Sequence, residues 1–287
     1  MFILLIALFI VVLIIFLRHS RKYNIKPIVF IKKGPSAKEI AARKSSLDFI
    51  GNLENICPYC NQRFEKIPTR KKKCSHCGEY IYVRTRPKDE RKVFVTKEQA
   101  DKIDEQWTIV SGTHDQYLMR EKQFANEKSN LTKIRGFEPS DNDVQWNLLN
   151  KEIIRHVTQQ DWGFFRNTKF AMAEILRKES KLMAALGFYL EVCYIDLNGP
   201  NNLGGVSDSR LIREFPAWNP KLNAFLAPGV ITRISKIIRK TESSEATVQK
   251  IFFQDAEKLK DSFHMPVPVG IAWVETKKAL IENKAFY

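Results

Sequence analysis

From Phe2 to Leu17 every position is Phe, Ile, Leu, Val or Ala, and the run stops at Arg18-His-Ser-Arg-Lys22. With no polar face, the pattern predicts a helix surrounded by lipid, and at about 1.5 Å per residue it reaches roughly 25 Å, the short end of a bilayer span. Cations flank the run only on its C-terminal side, so the positive-inside rule predicts an outer N-terminus and a cytoplasmic bulk: a single-pass protein of the cell membrane. A cleaved signal would want cations before the run and a small-x-small site after it, and neither occurs. Residues 18–54 scatter Lys and Arg around Pro27 and Gly34-Pro35 and read as a basic juxtamembrane linker able to meet anionic lipid. A short helix is expected within it, from Ser36 to Asp48.

Further along, the periodicity changes. Tyr80-Ile-Tyr-Val-Arg-Thr-Arg86, ended by Pro87, favours a strand, and Arg63–Ile67 before Pro68 is its expected hairpin partner. Thr96-x-x-Gln99 matches a capping box, followed by Ala100, Ile103, Trp107 and Val110 at helical spacing. Ser140-x-x-Asp143 opens another helix with Val144, Leu148, Leu149, Ile153 and Val157 on one stripe; Trp146 and His156 on it read as packing and surface residues. Residues 166–195 predict a helical hairpin broken at Glu179-Ser-Lys181. Asn198 to Gly205, with Pro216, Pro220 and Pro228-Gly229, marks a long irregular connection before helices over 230–240 and 245–263 and a last one starting near Pro268.

Charge changes the picture of the first third. Residues 18–92 hold 20 Lys+Arg against 7 Asp+Glu, a net +13 of the chain's +15. An electrostatic partner, anionic lipid or nucleic acid, is therefore expected to meet this region.

The same stretch carries Cys57-Pro-Tyr-Cys60 and Cys74-Ser-His-Cys77, four of the chain's five cysteines. Two such knuckles supply four thiolates to one metal in a closed tetrahedron, which predicts a structural Zn2+ bound by Cys57, Cys60, Cys74 and Cys77; a small iron-sulfur or redox site is the alternative. Asn61 and Gly78 stand where each knuckle needs a residue tolerant of positive φ. Four thiolates leave no coordination position for water or substrate, so the metal is expected to fold the ribbon and not to catalyse. Paired C-x-x-C thiols of this kind persist as zinc ligands in a reducing compartment, which favours the cytoplasmic side of a membrane.

The loop between the knuckles and the following strand add Arg70, Lys71, Lys72, Lys73, Arg84 and Arg86, the candidate anion- or nucleic-acid-binding residues, beside Tyr80 and Tyr82 as stacking surfaces. The five histidines are dispersed, and no H-E-x-x-H, nucleophile elbow or Gly-rich nucleotide fingerprint occurs. Cys193, in an apolar run, reads as a buried thiol. No enzymatic activity is expected.

The ribbon residues running into Tyr80–Pro87, together with Asn167 to Asn202, resemble uncharacterised zinc-ribbon proteins of bacteriophages and prophages. Within 166–195, Ala173, Leu176, Ala185 and Tyr189 resemble the small and large positions of one tetratricopeptide repeat, with Ser180 in place of the usual turn glycine. The expected architecture is mainly α: a transmembrane helix over 1–17, a linker over 18–54, a small β zinc ribbon over 55–92, and a C-terminal α-helical repeat-like domain over 93–287. The expected function is a membrane-anchored cytoplasmic adaptor whose helical domain binds a protein partner; the alternative is a nucleic-acid-binding zinc ribbon tethered to the membrane.

Overall fold

The structure, a computed structural model, describes residues 35–202 and 216–286. Contacts divide the chain into two compact units, Met1–Leu118 and Met119–Tyr287.

In the first unit, β1 (Lys72–Lys73), β2 (Tyr80–Thr85) and β3 (Lys92–Val95) form an antiparallel sheet in sequence order. Lys73 pairs with Tyr80, and Val83 with Phe94. Strand alternation splits the side chains between two small cores. Ile81, Val83 and Phe94 join Cys57, Cys74 and Phe64 on one face, while Tyr82, Val93 and Val95 meet Ala100, Ile103 and Trp107 on the other. Those last three belong to α2 (Lys97–Ser111), started by the Thr96 capping box and ended by Gly112 in the left-handed region. The Trp107 indole N–H donates to the Thr85 carbonyl at 2.8 Å, fixing helix to strand. Helix α1 (Ala37–Ser45) opens with a capping box at Ser36, and its Arg43 donates to the Val110 carbonyl at 3.2 Å, covering the C-terminal end of α2.

One strand expectation changes. Arg63–Ile67 is not the partner of β2; Arg63 makes a single bridge to Ile56 within the first knuckle. Strand β2 pairs instead with β1 and β3, and β3 is four residues long and begins in a charged run, so no alternating apolar pattern announces it.

In the second unit, helices α4 (Asp141–Gln159), α5 (Trp162–Lys178), α6 (Leu182–Leu197), the single turn α7 (Pro220–Asn223), α8 (Pro228–Thr241), α9 (Glu245–Phe263) and α10 (Val269–Glu282) follow α3 (His114–Arg135), inside which the division between units falls. Helix α6 buries ten of its 16 residues and lacks a polar side, as a central helix must. Around it pack α5, α8, α9 and α10. Helix α8 is the opposite case: Val230, Ile231, Ile234, Ile237 and Ile238 face inward, and Lys236 and Lys240 outward. The expected hairpin is present as α5 and α6, and Ser180 in its turn takes φ 61, the conformation for which a glycine would serve. Because one helix contacts partners from so many parts of the chain, the unit is centred on α6 and not stacked; in a repeat array each unit meets only its neighbours.

Several buried polar groups at the end of α6 are paired. Arg166 grips Asp196 through two bonds of 2.7 Å. Asn198, fully buried, donates to the Tyr194 carbonyl and accepts from the Val267 N–H at 2.8 Å each, while the Tyr194 hydroxyl donates to the Val267 carbonyl. These bonds fasten the end of α6 to the segment before α10, satisfying groups that are costly to bury alone.

The membrane-spanning architecture is corrected. Among the described residues the fold is mainly helical, with ten helices and one three-stranded sheet, and no helix is long and apolar enough to cross a membrane. Residues 1–17, where the span was expected, lie outside the described residues. The single-pass localisation, with an outer N-terminus and a cytoplasmic bulk, is corrected with it.

Candidate functional site

The four knuckle cysteines converge. Their sulfurs all lie within 4.8 Å of one another, with Cys57 and Cys77 at 3.7 Å and Cys60 and Cys74 at 3.9 Å. These separations are far beyond the roughly 2.05 Å of a disulfide. They match instead the edge of a tetrahedron, about 3.8 Å for a metal roughly 2.3 Å from each sulfur. The cluster can hold one metal ion.

Local backbone geometry builds this arrangement. In the first knuckle Asn61 takes φ 59 and its N–H bonds the Cys57 carbonyl; in the second Gly78 takes φ 78 and bonds Cys74 at 3.1 Å. The left-handed residue turns the following amides toward sulfur. Backbone N–H groups of Cys77 and His76 pull the Cys74 thiol down to about 6, whereas burial pushes Cys57 up. Cys57 and Cys74 are buried, Cys60 half-buried and Cys77 exposed, so the cluster lies at the surface of its unit. The isolated bridge between Ile56 and Arg63, and the β1–β2 pairing, extend the two knuckles into short hairpins.

Beside the second knuckle is a cleft of about 420 Å3. Arg63, Lys66, Lys72, Lys73 and His76 line it, with Glu65 the one acidic residue among them. Lys72 and Lys73 reach it because they form β1, paired edge-on with β2. Arg63 and Lys66 come from the segment following the first knuckle. Cations from two separate segments thus meet over the cysteine cluster.

The other candidate residues are placed differently. Arg70 is exposed, and Lys71 lies over both Tyr80 and Tyr82, 4.5 and 4.8 Å from the ring centroids. Arg84 makes a bidentate pair with Asp104 at 3.0 and 3.2 Å. Arg86 is 4% exposed, clamped on Asp89 at 2.9 and 2.6 Å and stacked over Phe49. Its hydrogen bonds to Asp89 raise the Arg86 ionisation and hold Asp89 down to about 2. Arg84 and Arg86 are structural cations of the fold, leaving the exposed set at Arg70–Lys73. Sequence reasoning overlooked Arg63 and Lys66; the available signal was their position just after a knuckle, opposite the basic loop.

Elsewhere, His156 is buried and stacked on Phe164, contrary to its reading as a surface residue, and burial followed by the neighbouring Arg155 charge lowers its ionisation. Cys193 is fully buried, and desolvation pushes its thiol well above the usual range.

Compared with protein-family models, curated proteins and solved structures, the chain matches none. The resemblance to phage and prophage zinc-ribbon proteins, and that to a tetratricopeptide unit, therefore rest on their own residues alone.

Proposed function

We propose that the first unit is a zinc ribbon that binds nucleic acid through its basic cleft. Zinc suits the donor set: four thiolates in two short knuckles, with sulfur separations fitting a zinc–thiolate bond of about 2.3 Å. Bound there, the ion would neutralise the thiolates and cross-link two hairpins whose hydrophobic core is only a handful of side chains. Its role is to hold the cleft's two walls together.

The observation that carries the reading is the convergence of Arg63, Lys66, Lys72 and Lys73 on one cavity. Four cations against one carboxylate favour a phosphate backbone. Such contacts give affinity that falls with salt and depends little on sequence. The adaptor reading has no comparable constellation among the described residues to support it.

Fluorescence anisotropy with labelled single- and double-stranded oligonucleotides at low salt tests this. The full chain is expected to bind, and R63S/K66S/K72S/K73S, still loaded with zinc, to bind at least tenfold more weakly. Equal affinity for the two proteins would overturn the assignment.

A further inference from the structure

A second cationic cavity lies wholly within the helical unit. It measures about 470 Å3 and is lined by Arg177 from the end of α5, Leu182 from the start of α6, and Gly229, Thr232, Arg233, Lys236, Ile237 and Lys240 along one side of α8. Four cations line it and no carboxylate does.

Glu174, just outside, fixes the geometry of two of them. It accepts from Arg177 at 2.7 Å, from Arg233 at 2.5 Å and from the Tyr189 hydroxyl. Arg233 is also tied to the Gly229 carbonyl at 2.9 Å and lies over the Phe170 ring. Both guanidiniums are thus pre-set, yet a guanidinium has five N–H donors and these bonds use only some of them. The Arg177 Nε is buried and has no acceptor. Lys236 and Lys240 are exposed and form no ion pair or hydrogen bond among the described residues. At the two helix starts bordering the cavity, Leu182 and Pro228, the N-cap residues Lys181 and Ala227 make no side-chain cap hydrogen bond.

We propose that this cavity binds a phosphoryl group, with Arg177 and Arg233 as the oriented donors and Lys236 and Lys240 as the mobile charges that close over it. Planar guanidiniums held by a carboxylate recognise phosphate oxygens directionally, whereas the lysines contribute as point charges. The site is independent of the ribbon cleft. Its phosphoryl group can come from a small soluble polyphosphate or from a nucleic-acid backbone.

Isothermal titration of the zinc-loaded full chain with inorganic pyrophosphate tests the proposal, with K236S/K240S as the diagnostic variant, since both side chains are exposed and outside the core. Wild type and R63S/K66S/K72S/K73S are expected to bind pyrophosphate alike, and K236S/K240S at least tenfold more weakly. A single-stranded oligonucleotide that displaces pyrophosphate identifies a nucleic-acid source; one that does not identifies a small anion. The proposal is overturned if K236S/K240S binds as wild type does, if no pyrophosphate binding occurs, or if the ribbon substitutions alone abolish it.

Discussion

The sulfurs of Cys57 and Cys77 lie 3.7 Å apart although 20 residues separate them in sequence. One ion between them and the Cys60–Cys74 pair would close the loop that carries Arg70–Lys73. Removing it is expected to unfold the ribbon and leave the helical unit folded, because structural zinc in small domains supplies on the order of 10 kcal/mol of folding free energy. Elemental analysis should give one zinc per chain and none in C57S/C74S. Amide exchange after chelation should show loss of protection in β1–β3 with protection retained in α6.

Gly51 takes φ 83, and a Cβ there would meet Val95 Cγ1 at 2.4 Å and Val93 at 3.0 Å. Gly51→Ala therefore combines backbone strain with overpacking and should destabilise the first unit by about 2–4 kcal/mol. Gly136 has a similar φ of 74 with nothing within 4 Å, so Gly136→Ala should cost only about 1 kcal/mol. Urea denaturation of the two variants separates the strain from the clash.

Arg166 and Asp196 form the best-buried ion pair joining α5 to α6, at 16% and 5% side-chain exposure. Burial pushes Asp196 up, countered by its bonds to Arg166. Asp196→Ala leaves a buried cation unpaired and should cost about 3–5 kcal/mol. The double variant R166M/D196L should recover most of that loss in chemical denaturation, since the penalty comes from the orphaned charge.

Glu174 supplies a pH signature. Burial works against its charge, but hydrogen bonds from Arg177, Tyr189 and Arg233 overcome this and hold it at about 2, below its ordinary 4.5. A carboxylate depressed in the folded state stabilises fully above its unfolded value and loses that contribution as pH falls toward the folded one. Thermal melts should therefore show wild type losing stability more steeply than Glu174→Gln between about pH 5 and pH 2. A steeper loss in the variant would contradict the network.

Local chemistry in the sequence was the most legible part. Ser36, Thr96 and Ser140 all form the capping boxes their spacing announces, although the first had been read only as a short helix. The cysteine spacing led to a compact sulfur cluster. What escaped were features set by distant packing. Helix α3 buries only Glu127 and Leu131, so its 22 residues carry no apolar stripe to reveal it. Arg84 and Asp104 are 20 residues apart, and nothing in the local pattern shows that this cation is already paired. His156 is buried because α5 brings Phe164 over it, again a tertiary event. The cleft was half legible: the Lys72–Lys73 wall is a charge run, while Arg63 and Lys66 join it only through folding around the metal site.

The most direct measurement of the central claim is the salt dependence of oligonucleotide binding by the zinc-loaded protein. Four phosphate contacts on a single strand give a slope of about −3 for log K against log salt. Wild type should show at least that slope, and R63S/K66S/K72S/K73S a slope shallower by about 3. Identical slopes, or no binding by wild type at low salt, would contradict nucleic-acid recognition by the ribbon cleft.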